Sequence, residues 1–139
     1  MSDVQSVLGG ASFKGAVNVI EAGVRGMITL RGDLSGKAMA TAVKSAVDQA
    51  VPERLSIISG DKGAVAWMSP DELLLVVDYD RADATVAMLE KALAGEHHLA
   101  VNVSDARAVF TLSGAGLRDV LAKGTPADVS PAAFKPGVI

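Results

Sequence analysis

The sequence contains no cysteine in its 139 residues. Disulfides, thiolate metal sites, iron–sulfur ligation and a cysteine nucleophile are therefore excluded. Aromatic residues are also scarce, at 4%, whereas half of the chain is hydrophobic. We therefore expect a core of small aliphatic side chains, and one sheet covered by helices suits such a composition. The length is that of one domain with a real core.

Long apolar runs and clusters of one charge are also missing. The longest apolar run, Leu73 to Val77, is bounded by Glu72 and Asp78, so no membrane-spanning helix is predicted. The N-terminus lacks the basic cluster and apolar core of a secretory signal, and we expect a cytoplasmic protein. Lys and Arg number 13 against 16 acidic residues and are scattered singly, which disfavours a nucleic-acid partner.

Apolar periodicity divides the chain into strands and helices. Residues 1–15 have no period and are predicted to form a flexible N-terminal arm, followed by a single α+β domain over 16–139. Alternating apolar residues indicate strands, and a 3.6-residue period indicates helices. The predicted elements are strands over 17–21 and 26–31, a helix from the cap Ser35 to Pro52, a hairpin over 64–77 after a polar loop over 59–63, a helix from the cap Asp80 to Gly95, a strand over 99–103, a strand over 108–112 and a helix over 115–123.

The order of these elements predicts the fold class. Strand, helix, strand, strand, helix, strand is the split βαβ of a ferredoxin-like sandwich, an α+β fold with one antiparallel sheet and helices on one face. The last strand and helix extend this unit at its C-terminal end. Leu99, Val101 and Val103 occupy alternate positions, which predicts a half-buried strand.

Several short motifs follow one another along the chain: LRGD over 30–33, WMSPDELLL over 67–75, VNVSDAR over 101–107, LSGAGLRDVLAKG over 112–124 and DVSPAAFKPG over 128–137. In this order and spacing they resemble the gamma-subunit family of bacterial heterotetrameric sarcosine oxidases. The C-terminal pattern also resembles the first module of the glycine-cleavage aminomethyltransferase, a folate enzyme.

The chain departs from the family pattern at three positions and at its end. Asn102 stands where the family usually has Asp, Leu73 where it usually has Trp, and Thr125 where Cys is common. None of these residues breaks a strand or a helix. The family continues beyond the Pro-Gly, whereas this chain ends at Ile139, so it is either a short member or an incomplete one.

The resemblance implies an accessory role in an oxidase complex. In such a complex sarcosine is oxidised by a flavin to an imine, electrons pass to a second flavin and on to oxygen, and the methyl carbon leaves on tetrahydrofolate or as formaldehyde. The resemblance places FAD, FMN, NAD and tetrahydrofolate in the partner alpha, beta and delta subunits. It implies no catalytic, cofactor-binding or metal-binding residue in this chain.

A supporting subunit needs surfaces for its partners. The acids of the hairpin turn are interpreted as interface residues, since acid–base chemistry needs carboxyl groups that converge on one pocket. The charges of Ser104–Arg107 form either a local ion pair, worth under about 1 kcal/mol, or a polar anchor for a partner. The residues predicted to contact partners are Trp67, Asp71, Glu72, Leu73, Asp105, Arg107 and Phe134.

The isolated chain is expected to self-associate. Obligate partner faces are more apolar than ordinary surface, so a lone subunit should expose an apolar patch. The residues expected to contribute to this patch are Trp67, Leu73, Phe110, Phe134 and the tail over 129–139.

Two motifs that suggest chemistry have simpler interpretations. Ser113–Gly116 follows a strand and opens a helix, but Asp119 stands where a dinucleotide fingerprint needs its third glycine, which favours a structural turn. His97 and His98 are neighbours on a predicted strand, where side chains point to opposite faces. They are predicted to be a solvated pair and not a metal site.

Two rival functions remain open at the level of the sequence. One is a stand-alone ferredoxin-like regulatory module that binds a small molecule, such as an amino acid at a dimer edge. The other is a folate binder in its own right, against which Asn102 and the lack of a second folate-binding module argue.

Overall fold

The computed structural model describes residues 3–139; Met1 and Ser2, with which the predicted arm begins, lie outside the described residues. Contacts group the chain into two units. The first contains the residues up to Val24 together with Arg107–Pro136, and the second contains Arg25–Ala106 together with Gly137–Ile139. The predicted boundary between an arm over 1–15 and a domain over 16–139 does not coincide with this grouping. Residues 12–14 of the predicted arm form a strand.

The regular elements of the described residues are strands and α-helices in mixed order. They are β1 (Ser12–Lys14), β2 (Asn18–Glu21), β3 (Gly26–Arg31), α1 (Lys37–Val47), β4 (Ile57–Gly60), β5 (Gly63–Ser69), β6 (Glu72–Val77), α2 (Ala82–Ala92), β7 (Leu99–Asn102), β8 (Phe110–Ser113) and α3 (Leu117–Ala122).

The second unit contains a five-stranded sheet in the order β4-β5-β6-β3-β7, and all neighbouring strands are antiparallel. Along the chain, β3, α1, β5, β6, α2 and β7 give the split βαβ order, with β3 between β6 and β7 in the sheet. The predicted α+β class and ferredoxin-like fold are confirmed. The edge strand β4 was not predicted, because part of it was interpreted as the polar loop over 59–63.

Both helices cover the same face of this sheet. The buried residues of α1 recur at intervals of three and one, as a helix with one apolar stripe requires. They share a single core with α2 and with alternate residues of β3, β5 and β6. The largest side chains that are fully buried there are Ile28, Leu30, Leu73, Leu75, Leu89, Leu93, Val43, Val47 and Val65.

Strand β7 alternates as predicted, but it is Ala100 that enters the core. Ala100 pairs with Leu30 and is 7% exposed, whereas Leu99 and Val101 are 49% and 40% exposed on the other face. Helix α2 packs against β7, and a small residue beneath it lets helix and strand approach closely. The buried face of this strand therefore carries the small residue, and its larger apolar residues lie on the exposed face.

The starts of the two long helices differ from the predicted caps. Helix α1 begins after Gly36, and the hydroxyl of Ser35 donates to Asp33 Oδ1 at 2.6 Å. Asp80 lies in a 3-10 turn, Tyr79–Arg81, which leads directly into α2. Ser35 and Asp80 therefore do not cap these helices through their side chains.

The first unit contains a three-stranded antiparallel sheet in the order β1-β2-β8. The predicted C-terminal strand and helix are present as β8 and α3, but β8 pairs with β2 and does not extend the five-stranded sheet. In this register Phe13, Val19 and Leu112 share one face of the small sheet. Within residues 3–139, no helix has both the length and the apolar character needed to cross a bilayer.

Candidate functional site

The first two sequence motifs meet at one end of the five-stranded sheet. Arg31 ends β3, and Asp71 lies in the turn that joins β5 to β6. The Arg31 guanidinium donates to Asp71 Oδ2 at 2.7 Å, and the Gly32 amide donates to the Asp71 carbonyl at 3.0 Å. The LRGD motif and the hairpin motif are therefore parts of one structural feature.

Asp71 is held as a carboxylate in this turn. Hydrogen bonds from the Ser69 hydroxyl at 2.7 Å and from Arg31 lower the pKa of Asp71, and the same ion pair raises the pKa of Arg31. Both side chains of the pair are about half exposed, so water screens their attraction. The pair fixes the shape of the turn and contributes little to the stability of the fold.

Trp67 and Asp71 line one groove of about 540 Å³. The Trp67 ring is half-buried, and the Arg54 guanidinium lies over it at 6.0 Å from the ring centre, within the range of a cation–π contact. Val51 and Pro52 also line the groove. Two predicted interface residues are therefore brought together on an accessible surface.

The structure corrects the prediction for Leu73. This side chain is 0% exposed and packs in the core beneath the helices, where it pairs across the sheet with Leu30 and Trp67. A partner cannot contact it in this fold, so Leu73 belongs neither to an interface nor to an exposed apolar patch. Its neighbour Glu72 pairs with Arg31 across the sheet and is half-buried.

Ser104 and Asp105 anchor the end of β7 within the second unit. The Ser104 hydroxyl accepts the Met27 amide at 2.9 Å and donates to Asn102 Oδ1, while the Asn102 amide donates to Asp83 Oδ1 at 2.7 Å. The Tyr79 hydroxyl donates to Asp105 at 3.0 Å, and this bond raises the pKa of Tyr79. Sequence reasoning missed Tyr79 and Asp83, since neither belongs to the VNVSDAR motif.

The last two predicted interface residues, Arg107 and Phe134, lie in the first unit and are both exposed. Arg118 of α3, which was not predicted, donates from Nη1 to the carbonyls of Val129 and Phe134 at 2.5 and 3.1 Å. A guanidinium suits this task because its planar N–H groups can reach two acceptors at once. Arg118 thereby joins the helix motif to the tail motif.

The turn at Ser113–Gly116 has a structural role within the first unit. A Cβ atom on Gly114, whose φ is 128°, would lie 3.4 Å from the Ala16 carbonyl and from the Val17 backbone. These distances are ordinary van der Waals contacts, so it is the positive φ of the turn, which strains other residues, that favours glycine here. Strand β8 is antiparallel to β2, and α3 has six residues, so the parallel βαβ unit of a dinucleotide site is not formed here.

The two histidines have different environments. His97 is exposed, whereas the His98 side chain is 11% exposed, with Nε2 at 3.2 Å from Glu90 and Nδ1 at 2.9 Å from the Glu96 carbonyl. The solvated-pair prediction is therefore wrong for His98, because Glu90 of α2 and the Glu96 carbonyl lie within hydrogen-bond distance of its two ring nitrogens. Among residues 3–139, no group of three or more potential metal ligands is gathered.

A larger pocket of about 820 Å³ lies beside the Arg31–Asp71 pair in the second unit. Its wall is built from the end of β3, the start of α1, the end of α2 and the segment leading into β7. Gly32 has φ of 156°, a backbone conformation that L side chains rarely adopt, and a Cβ atom there would lie 3.2 Å from the His97 carbonyl, so glycine suits this position of the wall. The sequence offered no signal for this pocket, because its residues are scattered over 31–99.

Glu21 organises the N-terminal segment of the first unit. Its carboxylate accepts the Ser6 hydroxyl at 2.7 Å and the amides of Leu8 and Gly10 at 3.0 and 2.7 Å. These bonds, that of Ser6 first, hold the pKa of Glu21 below its ordinary value of 4.5. Part of the predicted flexible arm is therefore tied to β2 by one buried acid.

Replacing Glu21 with glutamine is expected to release this segment. The glutamine side chain keeps one acceptor oxygen, but its NH₂ group cannot accept hydrogen bonds from the Ser6 hydroxyl or from the amides of Leu8 and Gly10. Hydrogen exchange followed by mass spectrometry should show faster exchange for residues 6–10 at neutral pH, while Glu53→Gln, an exposed control, leaves it unchanged. In the native chain, ionised Glu21 stabilises the folded N-terminal segment at every pH above the usual glutamate pKa. This stabilisation is lost as the pH falls through the lowered pKa that Glu21 has in the folded state, so residues 6–10 should loosen only in acid. Equal protection in the variant would contradict this role.

Comparison with known proteins identifies the family. The model of the sarcosine oxidase gamma subunit family matches residues 31–139. The chain is 31% identical to a sarcosine oxidase subunit gamma of Arthrobacter sp over 125 residues, which are 88% of this chain and 60% of the relative. It is 34% identical to that of Corynebacterium sp. (strain P-1) over 95 residues, 67% of this chain and 46% of the relative. The chain thus spans about half to three fifths of the length of these relatives.

Solved structures agree with this result. A chain of the heterotetrameric sarcosine oxidase from Corynebacterium sp. U-96, in complex with pyrrole 2-carboxylate, is similar with a TM-score of 0.75 and 28% identity, over 89% of this chain and 64% of that one. The glycine cleavage system aminomethyltransferase T from Bartonella henselae has a TM-score of 0.50 at 19% identity, over 76% of this chain and 31% of that one, and shares the fold alone. The chain belongs to the sarcosine oxidase gamma subunit family.

Proposed function

We propose that this chain is an accessory, structural gamma subunit of a heterotetrameric sarcosine oxidase. In this role it supports the flavin- and tetrahydrofolate-dependent oxidative demethylation of sarcosine to glycine by the larger subunits. The observation that carries the proposal is the match of the gamma-subunit family model over residues 31–139. The partners are alpha, beta and delta subunits, and FAD, FMN, NAD and tetrahydrofolate are bound by these partners in the cytoplasm.

The internal contacts of the motifs support a structural role. Arg31 and Asp71 hold a turn, the Ser104 network holds the end of β7, and Arg118 holds the tail. In each case a polar motif residue is partnered within its own unit, as expected for side chains that shape a docking surface. Trp67 beside the groove and the exposed Arg107 and Phe134 are the proposed contacts with partners.

Exposed apolar side chains of the first unit also support docking. Phe13 is 65% exposed and Phe110 is 43% exposed on the small sheet. Isolated chains should therefore associate, and light scattering during size-exclusion chromatography should report more than one copy; a monodisperse monomer at high concentration would count against the proposal.

Co-expression with the sarcosine oxidase alpha, beta and delta subunits of the same genome tests the function. We expect a four-subunit complex that oxidises sarcosine with production of hydrogen peroxide, and we expect loss of assembly when this chain is omitted. The chain alone should show no flavin absorbance and no peroxide production. An active complex of unchanged mass and stability without this chain would refute the accessory role.

A further inference from the structure

The pocket of about 820 Å³ beside α1 has the size of a small-molecule site, since such sites typically enclose about 300 to 1,000 Å³. It lies wholly within the second unit. Met39 and Leu93, each at most 3% exposed, form an apolar floor, and Leu99 forms part of the wall. Charged groups of both signs surround this floor, so the pocket combines an apolar surface with a polar rim.

Most of the charges on the rim are already partnered. Arg31 is bonded to Asp71, the Asp33 carboxylate accepts from the Ser35 amide and hydroxyl at 2.9 and 2.6 Å, and His98 is bonded to Glu90. Lys37 and Glu96 also lie on the rim, and each carries a full charge at neutral pH. Within residues 3–139, neither side chain has a hydrogen bond or an ion pair, which distinguishes them from the other charged groups of the rim. One unpartnered cation and one unpartnered anion therefore face the same pocket.

We propose that this pocket binds an α-amino acid with an apolar side chain. The carboxylate of such a zwitterion pairs with the Lys37 ammonium, its ammonium pairs with the Glu96 carboxylate, and its side chain lies on Met39 and Leu93. A simple carboxylic acid would leave Glu96 unpartnered beside it, and a simple amine would leave Lys37 unpartnered. The inference is independent of the accessory role, since it concerns a pocket of this chain alone.

The affinity should be modest because Lys37 and Glu96 are exposed and water competes for both charges. For a ligand of about twelve heavy atoms, the binding efficiency usual for drug-sized ligands corresponds to a dissociation constant on the order of 1 mM. Binding at this level is measured well by amide chemical-shift changes in NMR spectra of the full chain.

L-phenylalanine is the probe, with 3-phenylpropionate and 2-phenylethylamine as analogues that lack the ammonium and the carboxylate. We expect saturable shifts at Gly32, Lys37 and His97 with L-phenylalanine, and at least fivefold weaker binding of each analogue. Lys37→Gln and Glu96→Gln should each weaken binding of L-phenylalanine at least fivefold, while Lys91→Gln and Glu53→Gln, outside the pocket, leave it unchanged.

Several results would overturn the proposal. Equal binding of 3-phenylpropionate or of 2-phenylethylamine would show that only one charge, or none, is recognised. The absence of saturable shifts at ligand concentrations tenfold above the expected dissociation constant would exclude the site. Unchanged affinity in both variants would place the ligand elsewhere on the chain.

Discussion

Replacement of Leu73 with alanine is expected to lower the free energy of unfolding by about 2 to 5 kcal/mol, the usual cost of truncating a fully buried leucine. Leu73 is 0% exposed and lies between Leu30 and Trp67 in the sheet, beneath both helices. The variant loses the buried methyl groups and leaves a cavity that the surrounding strands cannot fill. Urea unfolding followed by circular dichroism measures the change.

Leu99→Ala is the matched control. Leu99 also lies on a strand of the same sheet, but it is 49% exposed on the face away from the helices. Its truncation should cost under about 0.5 kcal/mol, as for other surface positions. Similar losses of unfolding free energy in Leu73→Ala and Leu99→Ala would contradict the orientation of the sheet. A Leu73→Ala variant as stable as the native chain would show that Leu73 lies at the surface.

Ser104→Ala is expected to lower the free energy of unfolding by about 1 to 3 kcal/mol. The Ser104 hydroxyl accepts the Met27 amide within the protein, and a buried donor that loses its acceptor retains the full cost of desolvation. The same change removes the donor to Asn102, which positions Asp83. Thermal unfolding of Ser104→Ala and of a control variant in the same buffer compares their losses of stability.

Ser45→Ala provides that control, because Ser45 is exposed on α1 and alanine is a better helix former. Its unfolding free energy should stay the same or rise slightly. A Ser104→Ala protein as stable as the native chain would show that water or another acceptor satisfies the Met27 amide, and the structural role assigned to this motif would be wrong.

The sequence predicted the regular core better than its edges. Periods of two and 3.6 residues located α1, α2 and the hairpin, since these elements bury one apolar face each. The same signal located β7 as a half-buried strand but did not identify its buried face, because the small Ala100 packs beneath α2 while larger neighbours stay exposed. The short strand β1 was missed because it has no buried side chain and so no apolar pattern.

The candidate site was predictable only in part. Resemblance drew attention to Asp71 and Asp105, which the structure places in hydrogen-bonded turns. Leu73 was misassigned because a hydrophobic residue at a hairpin suits both a core and an interface. The contacts of Glu21 and Arg118, and the pocket with Lys37, join residues far apart along the chain, and such proximity follows only from the tertiary fold.

The pairing of β2 with β8 has a consequence for how the chain reaches this structure. Glu21 pairs with Phe110, so almost the whole second unit lies between two strands that must meet. The entropy cost of closing a loop rises with the length of free chain between its ends. Within the second unit the Val103 amide bonds to the Met27 carbonyl at 2.8 Å, which brings the two ends of that insertion together. Folding of the second unit therefore shortens the effective tether between β2 and β8 and lowers the entropic barrier to forming the small sheet.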